Sequence, residues 1–517
     1  MPHVTAHSTG SSSALPIILV VALLIAAPLV ALFVVSIAPS DAASPFASPV
    51  GWAYVRGTLA LGFGAGFVAC VLGVAAAMLV TMTEFPGRRI FEIALVLPFA
   101  VPAYILAYVF ADWFSPFGPV ASVIGVDQLP PIRSLPGAIV VMALATYPYV
   151  YLTTRASLAG RAGAYFEAAR SLGATPFAAC RRIALGMNRP AIFGGLALAL
   201  MEIAADYGVA EHFGVRTLSV GIFRQWHGAG DLAGATQLAL SLFAISTLFI
   251  LLEKASRRGR TSTAPRSERK PLRLRLNAMN QTLAIGFLTS LVLFGFALPA
   301  ISLIAKAIDT SAIGATRGLQ SAFINTGIVA FAGAFIASAL AAILAFMLRQ
   351  TKSTIATISV RIATLGYAAP GAVIAIGILT LIAPLGAIIG LTILVYAYVV
   401  RFLTAGYNAT ESGFANVSPQ IDAAARSLGA TPGQILTRLH LPMTQNAILA
   451  GGAIIALDIA KELPATLLLR PFNFETLATH VYRLASDERL ADASPAALTL
   501  LFFGTLIALA LAFTSRK

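Results

Sequence analysis

Charged residues are scarce in this chain. They make up 11% of its 517 residues, whereas a soluble globular protein carries roughly 25%. Hydrophobic residues account for 58% of the sequence. The segment from Ala14 to Ala38 contains no charged side chain and is longer than the about 20 residues that a helix needs to cross a bilayer. The composition therefore excludes an ordinary soluble domain and indicates an integral membrane protein.

Cysteine and the common catalytic patterns are equally scarce. Cys70 and Cys180 fall in a predicted span and a predicted cytoplasmic loop, so we expect no disulfide between them. No lysine follows a glycine, so the chain lacks a Gly-Lys-Ser/Thr phosphate-binding loop. No His/Cys cluster has the spacing of metal ligands, and no hydrolase elbow is present. We therefore expect no cofactor, no bound metal and no enzymatic activity.

Apolar segments of spanning length recur along the whole chain and predict an all-α, polytopic membrane protein with about twelve transmembrane helices. The predicted spans are 15–38, 57–82, 91–113, 135–155, 190–210, 236–253, 279–305, 323–348, 357–383, 386–408, 446–468 and 495–514. The first is longer than the apolar core of a signal peptide, and no Lys or Arg precedes it. We therefore expect it to be retained as a helix.

The net charge of +14 is concentrated on one predicted side of the membrane. The densest cluster consists of Lys254, Arg257, Arg258, Arg260, Arg266, Arg269, Lys270, Arg273 and Arg275. Further basic residues on that side are Arg88, Arg89, Arg349, Lys352, Arg516 and Lys517. This distribution follows the positive-inside rule and predicts that both termini lie in the cytoplasm. It favours contact with the lipid bilayer over nucleic-acid binding. The single histidines His212, His227 and His480 are expected in solvent on periplasmic loops.

One six-residue sequence occurs twice. Ser-Leu-Gly-Ala-Thr-Pro begins at Ser171 and again at Ser427, 256 residues later. The basic connector divides the chain into a predicted first repeat at 1–254, a cytoplasmic linker at 255–278 and a second repeat at 279–517. Since each half contains an even number of predicted spans, the halves are expected to be parallel, with both copies of the sequence facing the cytoplasm.

The residues around each copy predict a helix–turn–helix. Gly173 and Gly429 suit the end of a first helix. Thr175 and Thr431, each followed by proline, suit the cap and first position of a second short helix. An ordinary amphipathic hairpin at the membrane surface would have the same pattern. Because the same turn occurs twice, however, we predict a pair of docking surfaces.

These loops resemble the cytoplasmic signature of permease subunits in ABC importers, which reads Glu-Ala-Ala, three residues, Gly, nine residues, Ile-x-Leu-Pro. The matching residues are Glu167, Ala168, Ala169, Gly173, Ile183 and Leu185 in the first copy, and Ala424, Ala425, Gly429, Leu441 and Pro442 in the second. The first copy has Gly186 in place of proline. The second has Leu439 in place of isoleucine and Ala423 at the acidic position, with Asp422 one residue earlier.

The resemblance implies the type I ABC importer fold, with two fused six-helix repeats. It implies that two copies of a cytosolic ATPase dock on the loops and that a periplasmic binding protein delivers the solute. The docking residues carried over are Glu167, Ala168, Ala169, Gly173, Asp422, Ala424, Ala425 and Gly429. The segment 461–479 resembles fused ferric-iron permeases, so the expected solute is ferric iron. Thiamine or another small solute remains an alternative, as does a proton-coupled secondary transporter.

Four acidic residues also repeat at the same offset inside predicted spans. They are Glu202 and Asp206 in the first half, and Asp458 and Glu462 in the second. Each pair is four residues apart, hence on one helix face. A carboxylate within the membrane is costly unless it meets a polar cavity or a partner, and hard cations prefer oxygen ligands. We therefore predict that these acids line the translocation path. The alternative is that Lys461, Tyr207 or backbone groups satisfy them.

Overall fold

A computed structural model describes residues 14–37, 44–116, 118–125, 129–175, 178, 186, 188–257, 273–309, 318–351, 353–385 and 390–514, without the side chains of 160–170, 309, 367–368 and 511–514. These residues are overwhelmingly helical, which confirms the predicted all-α class.

The helices of the first half include several that run well beyond the predicted spans. They are α1 Ala14–Ile37, α2 Pro49–Met82, α3 Arg88–Ala94, α4 Ala103–Trp113, α5 Pro119–Ile124, α6 Leu135–Ser171, α7 Arg189–Ala205, α8 Gly208–His212, α9 Leu218–Phe223 and α10 Leu232–Arg257. Short 3₁₀ turns lie at Pro45–Ala47 and Leu97–Ala100, and a π turn lies at Arg224–Gly228.

The second half begins with α11 Ala278–Val292, and π turns interrupt two of its long helices. The further helices are α12 Leu298–Asp309, α13 Leu319–Gln350, α14 Thr354–Ala363, α15 Gly371–Ile382, α16 Leu391–Ala415, α17 Pro419–Ser427, α18 Pro432–Ile435, α19 Leu441–Ala460, α20 Pro464–Leu469, α21 Leu477–Ser486 and α22 Leu490–Thr514. The π turns are Leu293–Ala297 and Leu436–His440, and 3₁₀ turns lie at Thr364–Ala368 and Ala383–Leu385.

Eight helices in the described ranges are long and apolar enough to cross a membrane, and ten spans result if each of two bent helix pairs is one span. The bends are 90° before Ala103 and 109° before Gly371. Each bend follows a proline, Pro102 or Pro370. The residue before a proline is pushed into an extended conformation, which ends the preceding helix. The two remaining predicted spans correspond to α7 and α16, which are not among these candidates.

Unit I is one of two compact units and contains the described parts of Met1–Asp41 and Ala322–Thr476. In it, α1 packs against α14 and α15, and α16 packs against α19. Glycine permits the closest approaches, because a Cβ on Gly377 would lie 2.5 Å from the carbonyl oxygen of Pro28 in α1. Small residues are the usual means by which membrane helices approach one another closely.

Unit II contains the described parts of Ala42–Ser321 and Leu477–Lys517. Its centre is the packing of α2, α6 and α7, where Val74, Val150 and Ile192 form part of a buried apolar cluster. Gly73 allows the contact, since a Cβ there would lie 2.7 Å from the Cβ of Val150. The helices α12 and α22 pack together in the same unit.

The two units do not follow the sequence order of the halves. The first helix of the chain, α1, belongs to the unit formed mainly by the second half. Conversely, α11 and α12 at the start of the second half, and α21 and α22 at its end, belong to the unit formed mainly by the first half. The repeats at 1–254 and 279–517 therefore stay a prediction. The compact units divide the chain at other positions.

The part of the basic linker that the structure describes is held against the end of α2. Leu274 and Arg275 form a short parallel bridge, β2, with Thr83 and Glu84 of β1. Nη1 of Arg273 lies 3.3 Å from Oε2 of Glu84. Residues 258–272, which carry much of the predicted basic cluster, lie outside the described ranges.

Candidate functional sites: the repeated loops and the buried acids

The second repeated loop forms the predicted helix–turn–helix. The helix α17 begins after Ser418, whose hydroxyl accepts a hydrogen bond from the amide of Gln420 at 3.3 Å. It ends at Ser427, and Gly429 two residues later has a φ of 81°, a left-handed conformation that glycine adopts without strain. Thr431 and Gln434 then form a reciprocal capping box, which confirms the predicted helix start.

The following helix is longer than the predicted short segment. From Pro432 it continues through the π turn Leu436–His440 to Ala460, as one helix of 29 residues. The prediction of a separate short helix was therefore wrong. The sequence Leu-His-Leu-Pro between the two parts does not break the helix, because Pro442 lies in its first turn after the π segment, where its missing amide is tolerated. The loop is thus joined directly to a membrane-spanning helix.

The first loop has the same turn, but there the turn follows a long membrane helix and not a short separate one. The helix α6 runs without interruption from Leu135 to Ser171, so Glu167, Ala168 and Ala169 lie on the extension of a span. Gly173 has a φ of 82°, nearly identical to that of Gly429. The Thr175 hydroxyl accepts a hydrogen bond from the amide of Ala178 at 3.3 Å, as an N-cap would. Ile183 and Leu185, which match the signature, lie outside the described residues.

A leucine projects from both turns. Leu172 and Leu428 occupy the same position in the repeated sequence, and each is 87% exposed. On the second loop, Ala424 and Gly429 are also exposed, and Ala425 is half-buried. Each turn thus exposes an apolar side chain to solvent, as expected for a contact with a partner protein.

Asp422 is oriented differently from the rest of the predicted docking set, because its carboxylate faces the protein interior. It is 3% exposed. Its Oδ2 accepts a hydrogen bond from Nε of Arg349 at 2.8 Å, and its Oδ1 lies 2.7 Å from Nε2 of His440. Burial alone would raise the pKa of Asp422, but the hydrogen bonds from Arg349 and His440 outweigh it and hold this pKa below its ordinary value.

The outer pair of repeated acids caps two equivalent short helices. Oδ1 of Asp206 accepts hydrogen bonds from the amides of Val209 at 2.8 Å and Ala210 at 3.4 Å, at the start of α8. Oε1 of Glu462 accepts one from the amide of Ala465 at 2.8 Å, at the start of α20. Glu462 also receives a hydrogen bond from Nη1 of Arg401 at 2.7 Å. Backbone groups therefore satisfy both acids, as in the alternative interpretation.

The inner pair of repeated acids is not symmetrical. Asp458 lies 3.0 Å from Nζ of Lys461 and is neutralised by it. Glu202 is half-buried on α7, and within the described ranges it has neither an ion pair nor a hydrogen bond. The residue equivalent to Lys461 in the first half is Ala205, so the sequence supplies no matching cation.

The histidines expected in solvent are mostly not there. His480 is 1% exposed and lies 3.3 Å from Nη2 of Arg483, so this expectation was wrong. His212 packs edge-on against Tyr108 with ring centres 4.6 Å apart, and its burial, aided by the charge of Arg133, lowers its pKa to about 4. Only His227 is exposed. Within the part of the chain that the structure describes, no group of three or more His, Cys, Asp or Glu side chains could hold a metal ion.

Comparison with known proteins identifies a permease domain within the chain. Residues 69–261 match the family described as the inner membrane component of binding-protein-dependent transport systems. The chain contains a permease domain of this family. The permease is 27% identical to the Fe(3+)-transport system permease protein FbpB 2 of Haemophilus influenzae over 439 residues, which is 84% of each chain. It is a multi-pass inner-membrane permease of the ABC importer type, and its relatives are transport subunits, not enzymes.

Sulfate permeases are also similar to parts of this permease. The probable sulfate transport system permease protein cysT of Nephroselmis olivacea is 29% identical over 161 residues, 31% of this chain and 57% of its own length. The sulfate transport system permease protein CysW of Escherichia coli is 28% identical over 189 residues, covering 35% of this chain and 64% of its own. These alignments cover about a third of this chain, whereas the Haemophilus alignment covers 84% of it.

Two residues, the half-buried Arg349 and the buried His440, were not among the sequence candidates for the loop. Arg349 was counted only as a cytoplasmic charge, and His440 was not singled out. Their signal in the sequence is weak, because a single basic residue at the end of an apolar span is common. Only the fold brings them to Asp422, which lies 73 positions after Arg349 and 18 before His440.

Proposed function

We propose that this permease translocates ferric iron, delivered by a periplasmic binding protein and driven by two copies of a cytosolic ATPase that dock on the two repeated loops. The observation that carries the proposal is the alignment with an Fe(3+)-transport permease over 84% of both chains. In this arrangement both termini are cytoplasmic, as the distribution of basic residues favours.

The loop geometry supports the paired docking. The left-handed glycines Gly173 and Gly429 give the two turns the same shape, and the 87% exposed leucines beside them give the turns the same apolar tip. A dimer of identical ATPases presents the same cleft twice, so it fits two equivalent tips. The ATPases would close on binding ATP and thereby move the loops and the helices attached to them.

Of the four repeated acids, one supports a cationic solute. Asp206 and Glu462 cap helices, and Asp458 is paired with Lys461. Glu202 lies within a predicted span, and its carboxylate is paired with none of the described residues. A negative charge there favours a passing cation and disfavours sulfate. We therefore propose that Glu202 contributes to the path, and that Asp458 contributes less.

The decisive experiment is to purify the permease together with its ATPase and its binding protein, and to identify the ligand of the binding protein by metal analysis and mass spectrometry. Ferric ion is the expected result. A bound thiazolium vitamin would instead identify a thiamine permease. Bound sulfate would identify a sulfate permease, like the second group of relatives. Uptake that collapses with an uncoupler but persists without ATP would instead identify a proton-coupled carrier.

A further inference from the structure

The base of the second loop is a largely buried cluster of charged and polar side chains that joins four helices. Arg349 lies in the last turn of α13, Asp422 in the first turn of α17, and His440 in the π turn that leads into α19. Nη1 and Nη2 of Arg349 donate to the carbonyl oxygens of Phe414 at 2.8 Å and Val417 at 2.6 Å, at the end of α16. We name Arg349, Asp422 and His440 the loop joint.

The arginine satisfies groups that would otherwise lack partners. The last carbonyls of a helix have no partner within it, and Phe414 is one residue from the end of α16. A guanidinium presents several donors in a rigid fork, so one side chain holds α13 against both α16 and α17. Lysine keeps the charge but cannot reach three acceptors in this geometry. The joint therefore depends on the shape of Arg349 as well as on its charge.

The histidine completes the joint from the other side. His440 is 0% exposed and lies between Phe346 and Phe414, with ring centres 5.4 and 4.8 Å away. Among the described residues, no hydrogen-bond partner meets its buried Nδ1. Because a carboxylate oxygen accepts hydrogen bonds, Nε2 is the nitrogen that donates to Asp422. Because the aromatic rings fix the imidazole, Asp422 cannot move without moving the start of α19.

We propose that the loop joint transmits movement of the docking helix α17 to the transmembrane helices α13 and α19, and that it does so only in the second half of the permease. This inference rests on the proposed docking of an ATPase at the loop. At the repeat offset, Asp422 corresponds to Phe166 and His440 to Ala184, so the first half has no such cluster at the equivalent positions. The two docking sites are therefore coupled to the membrane by different chemistry.

The first half connects its helices by other residues. There, Nη1 of Arg88 donates to the carbonyl oxygen of Val80 at 2.9 Å near the end of α2, and Glu92 forms an ion pair with Arg155 on α6. This network joins α2 and α3 to α6 and lies outside the repeated loop. Loss of the joint in the second half should accordingly disturb transmission from one ATPase while leaving the other connected.

The test uses the permease reconstituted in liposomes with its ATPase and binding protein. The variants are Asp422→Asn, which removes the charge, and Arg349→Lys, which keeps the charge but loses the fork. Asp422→Glu is the conservative rescue, and Glu411→Gln on the neighbouring α16 is the matched control, because Glu411 is exposed and lies outside the joint. Three quantities are measured: ATPase recovered with the permease, ATP hydrolysed, and solute taken up.

Transmission predicts normal ATPase recovery and basal hydrolysis in Arg349→Lys, because Arg349 lies outside the predicted docking residues. Asp422→Asn is compared by uptake per ATP alone, because Asp422 is one of them. Uptake per ATP should fall at least about fivefold, the lower end of ordinary coupling between distant sites, with partial recovery in Asp422→Glu. Normal uptake per ATP in both variants would overturn the proposal. So would a parallel loss of ATPase recovery in Arg349→Lys, because the cluster would then serve docking alone. If Asp422→Asn fails to assemble, Arg349→Lys decides by the same criteria. Failure of the wild-type permease to recover any ATPase would overturn the proposed function itself, before any substitution.

Discussion

At the scale of single residues, Gly371 leaves space for a buried ion pair. A Cβ at this position would lie 2.1 Å from Nη1 of Arg401 and 2.2 Å from Oε1 of Glu462. The pair itself has a separation of 2.7 Å, and Glu462 is 5% exposed. A pair that is removed from water depends on close contact, because each separated charge would keep its desolvation cost. The close contact of this pair thus depends on the absence of a side chain at Gly371.

Gly371→Ala should therefore separate Arg401 from Glu462. Because the contacted atoms are the ends of two flexible side chains that can shift, we expect the free energy of unfolding to fall by about 1–3 kcal/mol, the usual cost of an added methyl group in a packed interior. Thermal unfolding of the purified permease in detergent measures the change. Gly433→Ala is the control, since a Cβ there meets nothing within 4 Å. Equal melting temperatures for the two variants would show that the ion pair tolerates the methyl group.

Glu202 and Asp458 offer a matched pair of substitutions. Glu202→Gln removes the carboxylate that has no ion pair, whereas Asp458→Asn removes one that Lys461 already neutralises. If the solute is a cation, Glu202→Gln should slow uptake about tenfold, corresponding to about 1.4 kcal/mol in the transport step. Asp458→Asn should have a smaller effect. Uptake rates in proteoliposomes, at matched amounts of assembled complex, compare the two. Equal effects of the two substitutions would show that both carboxylates contribute equally to the path.

Asp422 gives the second loop a dependence on pH. Since its pKa is lower in the folded loop than in the unfolded chain, the stabilisation is present above the ordinary value of about 3.9 and is lost as the pH falls through the lower, folded value. Hydrogen exchange of the α17 amides, corrected for intrinsic rates, should therefore show weaker protection at strongly acidic pH. Asp422→Asn should remove this dependence, and an unchanged profile in that variant would assign it to another group.

At the scale of elements, the two repeated turns depend on their left-handed glycines. Gly173→Ala and Gly429→Ala should each cost about 1–2 kcal/mol locally, because a Cβ disfavours this conformation. Nothing lies within 4 Å of either position, so the effect is conformational and not steric. We expect weaker recovery of the ATPase and an unchanged melting temperature of the permease. Gly429→Asn, which tolerates the left-handed region better, should recover more ATPase than Gly429→Ala.

The element scale also shows how much of the loop the sequence could predict. The cap at Thr431 and the turn at Gly429 follow from short-range chemistry and are present as predicted. The direction of the Asp422 side chain was not predictable from the signature. A shift of one residue on an α-helix rotates a side chain by about 100° around the axis, so an acid one position early faces a different side. Its partner Arg349 comes from a distant helix, and a single sequence contains no record of that contact.

At the scale of the whole molecule, composition and span patterning were sufficient to predict the all-α membrane class. They were not sufficient to assign helices to packing units. A membrane helix such as α1 is apolar on every side, so its sequence does not distinguish the face that meets lipid from the face that meets protein. The bent spans had a clearer signal, because Pro102 and Pro370 interrupt apolar runs that are otherwise long enough to cross the membrane.

The placement of α1 in unit I has a consequence for biosynthesis. A ribosome delivers the chain from its N-terminus, so α1 enters the membrane long before α14 and α15, against which it packs, have been made. Unit II likewise waits for α22, close to the C-terminus. Neither unit can close during the first half of translation. The face of α1 around Pro28, which meets Gly377 of α15 in the finished protein, must therefore stay without its partner in the bilayer until late in synthesis. This is the interval in which the nascent permease is most open to wrong helix pairing and to membrane proteases.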